Sequence, residues 1–256
     1  MPTFPQLRSG SGAQFPIRKR RVTRTIINDC GDGRVLKLSD PNASRMVWEM
    51  QFRELTTEEM EAIRCLFEAV EGRMNCFTFV DPMDNLLSWS EDPEQPVWEK
   101  GPLLQVTTGI SDPFNGVSAF RLTNATGGPA EFRQHLELPD PLTCCFSLWT
   151  RSDSSCTIDL SRGAERLTSA AGAVLRRLAH STTSGGASFA VEIGPGSSVD
   201  LFGLQVEAQP GPSAYKKTMA NTGLYRTARF DSDVLEVTAT APDRFACTLR
   251  ISARPE

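Results

Sequence analysis

Two histidines, seven cysteines and a scatter of carboxylates are the side chains of this chain that could carry chemistry. His135 and His180 stand alone, with no nucleophile or acid at motif spacing, so no Ser-His-Asp or Cys-His system is legible. Cys30, Cys65, Cys76, Cys144, Cys145, Cys156 and Cys247 are odd in number and irregularly spaced. No CxxC pair occurs, and the adjacent Cys144 and Cys145 should point to opposite faces of a strand. They read as reduced, mostly buried small apolar residues, which suits folding in a cytoplasm, and a zinc site is not expected. Phosphate loops, a G-x-S-x-G elbow and an H-E-x-x-H helix are absent. Glu192, Asp200 and Glu207 fall in strand-like runs and could serve a glycosidase as paired carboxylates. Any β-sandwich of this size carries several such residues, so no enzyme and no cofactor are expected. Asp29 with Gly31-Asp-Gly33, and Asp112-Pro-Phe-Asn115-Gly116, could hold structural calcium, but ordinary turns are favoured at both.

Binding has better candidates. An aromatic ring can stack on the apolar face of a pyranose, and Trp89, Trp98, Trp149, Phe120, Phe132 and Tyr215 are available. In Cys145-Phe-Ser-Leu-Trp149, alternation puts Cys145, Ser147 and Trp149 on one face and Phe146 and Leu148 on the other. The Phe/Leu face is the better core, which leaves Trp149 partly exposed as the candidate carbohydrate contact. Trp89 and Trp98 are expected to pin their own segment to a sandwich. His135 reads as a half-exposed strand residue, and His180 as solvent-facing in a Ser/Thr-rich loop. Arg18-Lys19-Arg20-Arg21 is a dense basic cluster at the end of a strand and the candidate assembly interface. No aromatics interleave with it, so nucleic acid is not expected.

The elements that must position these residues are mostly strands. Residues 22–36 and 45–54 read as strand regions, the first split by the turn at Gly31-Asp-Gly33. Met46, Trp48, Met50 and Phe52 alternate with Val47, Glu49, Gln51 and Arg53 and mark one buried face. Thr56-Thr-Glu-Glu59 is a capping box, followed by Met60, Ile63, Phe67 and Val70 at helical spacing and Gly72 as a natural stop. Cys76-Phe-Thr-Phe-Val80 is a strand ended by Asp81-Pro82. From about 86 to 215 short strand-like runs alternate with Gly, Pro, Ser and Thr clusters, as in a sandwich or jelly roll. Strands are expected at 103–108, 117–123, 131–137, 142–150, 155–160, 187–193 and 199–207, with 170–178 a strand and its flanking loop. Residues 234–240 and 245–251 are two closing strands, too few for a domain of their own, so they complete the sheet begun before residue 85. Insertion of a module at a loop tip is thermodynamically tolerable.

At 256 residues the chain allows one large or two ordinary domains. A net charge of −4 gives no whole-chain case for nucleic acid or an anionic membrane. No apolar run nears the roughly 20 residues of a membrane span, and Met1-Pro-Thr-Phe-Pro-Gln shows no charged region followed by an apolar core, so a secretory signal is not expected.

Two stretches carry a resemblance. Phe4-Pro-Gln-Leu, Arg18 to Thr25, Leu55-Thr-Thr-Glu-Glu59 and Gly72-Arg-Met-Asn-Cys-Phe-Thr-Phe-Val-Asp-Pro82 together resemble the distal tail proteins of tailed bacteriophages and gene transfer agents. Asn85 to Trp98 and Val199 to Glu207, with Pro212-Ser-Ala-Tyr215 and Thr218, look like the opening and closing phrases of carbohydrate-binding-type jelly rolls of phage structural proteins. Phe202 stands where the usual closing phrase has Trp. The resemblance implies a mainly β chain. A β-sandwich assembly domain with one helix (about 56–71) would span 1–85 plus 216–256, and an inserted jelly roll would span 86–215. It implies a virion tail-tip protein, assembled in the bacterial cytoplasm as a ring, usually a hexamer. The ring would join the tail tube to the hub or baseplate and could touch a host-surface glycan. The alternatives are a glycan-binding adhesin of the tail tip and, less favoured, a tail-associated glycan hydrolase.

Overall fold

The computed structural model describes residues 1–154, 156–183, 186–220 and 222–254. Along the chain run β1 (Ile17–Asp29), β2 (Val35–Leu55), α1 (Thr57–Ala69), β3 (Phe77–Val80), β4 (Glu99–Lys100), β5 (Leu104–Ile110), β6 (Ala119–Asn124), β7 (Ala130–His135) and β8 (Cys144–Arg151). There follow β9 (Cys156–Arg162), β10 (Glu165–Ala171), β11 (Arg176–Thr182), β12 (Ser188–Ile193), β13 (Ser198–Glu207), β14 (Leu224–Phe230), β15 (Val237–Ala241) and β16 (Arg244–Ala253). Among the described residues the chain is thus mainly β with one helix, as expected from its patterning. No described helix is long and apolar enough to cross a membrane.

The chain divides into two compact units. Unit 1 comprises residues 1–8, 12–80 and 224–256, and unit 2 comprises 9–11 and 81–223.

Unit 1 is built on a six-stranded antiparallel sheet in the order β1-β2-β16-β14-β3, with β15 beside β16. Its core face is set by period two: Trp48, Met50 and Phe52 of β2 and Cys247, Leu249 and Ile251 of β16 are buried. Against them lies α1, where Thr56 accepts the Glu59 N–H and the Glu59 carboxylate accepts the Thr56 N–H, the reciprocal capping box. Met60, Ile63 and Leu66 turn inward from it. Two strand regions expected between 22 and 54 prove to be the arms of one hairpin. The turn at Cys30–Arg34 is where glycine and aspartate put it, but β2 then runs unbroken from Val35 to Leu55. The register explains how it passes Pro41. Val22 faces Arg45 and Arg24 faces Asp40, so residues 41–44 bulge opposite Thr23 alone, where a missing N–H does no harm.

Unit 2 is a sandwich of two five-stranded antiparallel sheets, β10-β9-β12-β7-β4 and β11-β8-β13-β6-β5. Phe132, Leu160, Phe189 and Val191 from the first sheet and Phe120, Leu122, Phe146, Leu148, Leu201 and Val206 from the second are buried. Residues 170–178, expected as one strand with its loop, divide instead between the end of β10 and the start of β11, with a bend at 172–175.

Candidate functional site

Strand β8 places Trp149. Phe146 and Leu148 point into the sandwich, so the alternate residues Ser147 and Trp149 lie on the outward face of the β11-β8-β13-β6-β5 sheet. On that face Trp149 is half-buried, and its surroundings are crowded. The Arg177 guanidinium stands 4.4 Å over the ring, and Phe202 and Tyr215 approach at 5.8 and 6.1 Å between centroids. A bulge in β13 lets this happen. Gly203 sits there with φ +64°, and a Cβ on it would come within 3.0 Å of the indole.

Phe114 is the aromatic that stays open. Its ring is 5.9 Å from Trp149 and 5.8 Å from Phe202, edge-on to both, yet the residue is 63% exposed. The loop presenting it is organised by Asp112, whose carboxylate accepts the N–H groups of Phe114 (2.8 Å), Gly116 (3.0 Å) and Ser118 (3.1 Å). Burial raises the Asp112 pKa, but these three backbone bonds outweigh it and the net displacement is downward. The sequence marked this segment as a turn in preference to a calcium loop, and nothing in it announced Phe114 as the exposed ring.

Beside the aromatics lies a charged cluster from three neighbouring strands. Asp200 of β13 is 2% exposed and accepts from Arg121 of β6 (2.6 and 3.1 Å) and Arg151 of β8 (2.9 Å). Burial raises its pKa, and the two guanidiniums reverse the effect and hold it below the ordinary aspartate value. Arg121 and Arg151 keep a third of their side-chain surface or thereabouts in solvent, 37% and 29%, so their forks remain able to meet hydroxyl groups.

The other carboxylates singled out from the sequence are not gathered with Asp200. Glu192 lies on the opposite sheet, where Arg166 bridges it (2.7 Å) to Asp159 (2.9 Å). Glu207 is at the far end of β13, roughly 20 Å of extended chain from Asp200. It is fully buried and bound by the Ser213 hydroxyl and N–H (2.9 Å), Lys216 Nζ (2.9 Å), Gln205 (2.7 Å) and Gln209 (3.2 Å).

The histidines separate too. His135 ends β7 on the exposed side. His180, expected in a solvent-facing loop, is a half-buried residue of β11 paired with Phe146 of β8. Its Nε2 is buried without a hydrogen-bond partner, and burial lowers its pKa. The Ser/Thr composition that suggested a loop belongs to an outer strand with a polar face.

Trp98 is buried and stacks on Phe132 at 4.6 Å, while its indole N–H donates to the Trp89 carbonyl (3.0 Å). That contact fixes the opening segment of unit 2 onto the sandwich.

In unit 1 the basic cluster divides by strand alternation. Arg18 and Arg20 stand on the face away from the core, each 3.8 Å from Glu49, which Arg250 also reaches at 3.1 Å. Lys19 and Arg21 face the other way, with Lys19 Nζ 5.8 Å over the Trp48 ring. All four lie on β1, an edge strand with one side unpaired.

No protein-family model matches the chain, and no curated protein matches it. Among solved structures it is similar to the enzymatically active domain of tailspike protein 4 of bacteriophage CBA120, at 15% identity over 50% of this chain and 22% of that one, TM-score 0.40. The chain therefore spans about a fifth of that protein's length. It is also similar to TmCBM61 in complex with β-1,4-galactotriose (16% identity, 49% of this chain, 99% of that one, TM-score 0.39). A third is the CBM22-1 xylan-binding domain from Paenibacillus barcinonensis (12% identity, 52% and 99%, TM-score 0.40). At these identities and TM-scores the likeness carries no argument about this chain.

Proposed function

We propose that this chain is a structural protein of a phage or phage-like tail tip, of the distal tail type. Unit 1 assembles into a ring between tail tube and hub, and unit 2 is the displayed jelly roll. The observation that carries this reading is the outer part of the β1–β2 hairpin. Beyond the bulge it is a two-stranded ribbon that exposes Ile26, Ile27, Val35, Leu36 and Leu38. A sheet that faces water normally keeps its aliphatic residues on one side. Here Ile26, Leu36 and Leu38 lie on one face and Ile27 and Val35 on the other. A two-stranded ribbon is marginal in water by itself, and such a patch is the mark of a surface that another chain covers.

The ends of unit 2 suit a displayed module. Asp81 N–H donates to the Gly223 carbonyl (2.7 Å) and Gly223 N–H to that of Asn85 (3.3 Å), so the chain enters and leaves it at one place.

A role for unit 2 in glycan contact is favoured by the outward face that holds Phe114, Trp149 and the Arg121–Asp200–Arg151 cluster. An open aromatic ring beside partly solvated guanidinium forks offers stacking and hydroxyl recognition together. The alternative of an adhesin whose chief duty is that contact rests on the same face.

Light scattering on the purified chain, with negative-stain imaging, tests the assembly reading. A ring-sized oligomer is expected. A chain that stays monomeric at tens of micromolar and never enters particles would overturn it.

A further inference from the structure

The bulge at the root of the hairpin opens a cleft of about 800 Å³ in unit 1, bordered by the ends of β14 and β16. Four guanidinium-bearing residues that are remote in sequence meet there: Arg24, Arg45, Arg229 and Arg254. Their neutralisation is partial, with two carboxylates for four guanidiniums. Arg24 and Arg45 come only within 3.8 Å of Asp40 and 3.9 Å of Asp231, beyond hydrogen-bond reach. Arg229 donates to the backbone carbonyls of Arg73 (3.3 Å) and Met74, which hold the side chain without cancelling its charge. The Ser44 hydroxyl, also lining the cleft, is buried with no hydrogen-bond partner. So a chain of net charge −4 concentrates positive charge in one concavity that also carries an unspent polar atom.

Elsewhere on the same sheet face Arg18, Arg20 and Arg250 gather around Glu49 at 3.8, 3.8 and 3.1 Å, on open sheet with, among the described residues, no concavity of this size. What distinguishes the cleft is its shape: four guanidiniums, against two carboxylates, line one concavity, which suits a short acidic segment, and a duplex probe tests the phosphodiester alternative. The register adds a second feature. Arg24 pairs with Asp40, and Ile26–Leu38 and Asn28–Leu36 follow on the same face of the ribbon. An exposed aliphatic row thus leads away from the cleft.

We propose that this cleft and row receive a segment of a partner protein in which carboxylates alternate with aliphatic side chains, the carboxylates held by Arg24, Arg45, Arg229 and Arg254. This rests on the assembly reading of unit 1 and names the chemistry of the partner it would dock.

The test uses the full chain and fluorescence anisotropy with three labelled probes. They are a ten-residue Glu/Val peptide, a Glu/Ser peptide of equal charge, and a short DNA duplex. The Glu/Val peptide is expected to bind tightest. Arg45→Glu and Arg254→Glu should each weaken it about ten-fold or more, while Arg53→Glu, outside the cleft, leaves it unchanged. Leu36→Ser/Leu38→Ser should bring Glu/Val binding down to that of Glu/Ser. Thermal melting of each variant checks that it is folded. No peptide binding, equal loss with Arg53→Glu, or tighter binding of the duplex would each overturn the proposal. A monomeric wild-type chain that still binds the Glu/Val peptide in this pattern would count against the assembly reading and uphold the cleft.

Discussion

The Asn85 side chain accepts the backbone N–H of Val206 at 3.0 Å across 121 residues of sequence. The same amide accepts the Leu87 N–H (3.1 Å) and donates to the carbonyls of Leu204 (3.0 Å) and Lys216 (3.1 Å). Asn85 is fully buried, so one residue stitches the opening of unit 2 to its last strand and to the turn that follows. Around it the Ser90 and Tyr215 hydroxyls meet at 2.8 Å, and Thr218 N–H donates to Ser90 Oγ at 2.9 Å.

Replacing Asn85 with alanine should strand two buried N–H groups and two carbonyls. A loss of about 2–4 kcal/mol is expected, read as a lower urea midpoint. A change under 0.5 kcal/mol, roughly the noise of a surface substitution, would show that the stitch is not structural.

Gly203→Ala should also destabilise unit 2, by about 1–3 kcal/mol, since φ +64° disfavours any Cβ and the new atom would press on Trp149. Near-ultraviolet circular dichroism should report the displaced indole. An unaltered spectrum with unaltered stability would contradict the packing described.

Acid should unfold unit 2 through Glu207 and Asp200. Burial raises the Glu207 pKa, but Ser213 and Lys216 outweigh it and leave it below its ordinary 4.5. A carboxylate with a depressed folded-state pKa contributes stability that is fully present above its unfolded value. That stability drains away as pH falls through the folded one. Stability should thus decline below about pH 4.5, and Glu207→Gln should flatten the decline while lowering stability at neutral pH. Parallel melting curves for wild type and variant between pH 3 and pH 7, compared at about 0.5-unit steps, are the check.

The ribbon should matter for association and not for folding. Ile27→Lys with Leu36→Lys replaces two exposed aliphatic residues, so the monomer's melting temperature should hold within about 2 °C while the oligomer dissociates. Light scattering at matched concentration decides it, and an intact oligomer would remove the ribbon from the interface.

Phe114→Ala should leave stability nearly unchanged, because the ring is largely in solvent, and should abolish any retardation of the chain in polysaccharide affinity gels. Retardation that survives Phe114→Ala but fails in Arg121→Ala would move the contact from the ring to the guanidinium forks.

Local pattern was enough for much of this protein. Period two marked the Trp48/Met50/Phe52 face, the Phe245–Ile251 strand and the split between Phe146 and Trp149. The capping box placed the start of α1, and glycine and aspartate placed the hairpin turn. Each is a property of neighbouring residues, set by strand pleat, helix pitch or allowed φ. Three things were not legible. His180 looked like loop because an outer strand with a polar face has the composition of one. Phe114 looked like part of a turn because exposure depends on what stacks above a loop. The convergence of Arg24, Arg45, Arg229 and Arg254 had no sequence signal at all. Which strands lie side by side, and in what register, is decided by burial of two faces and closure of long loops. Those are energies of the whole chain, so the charge focus and the open ring exist only once the sheets have formed.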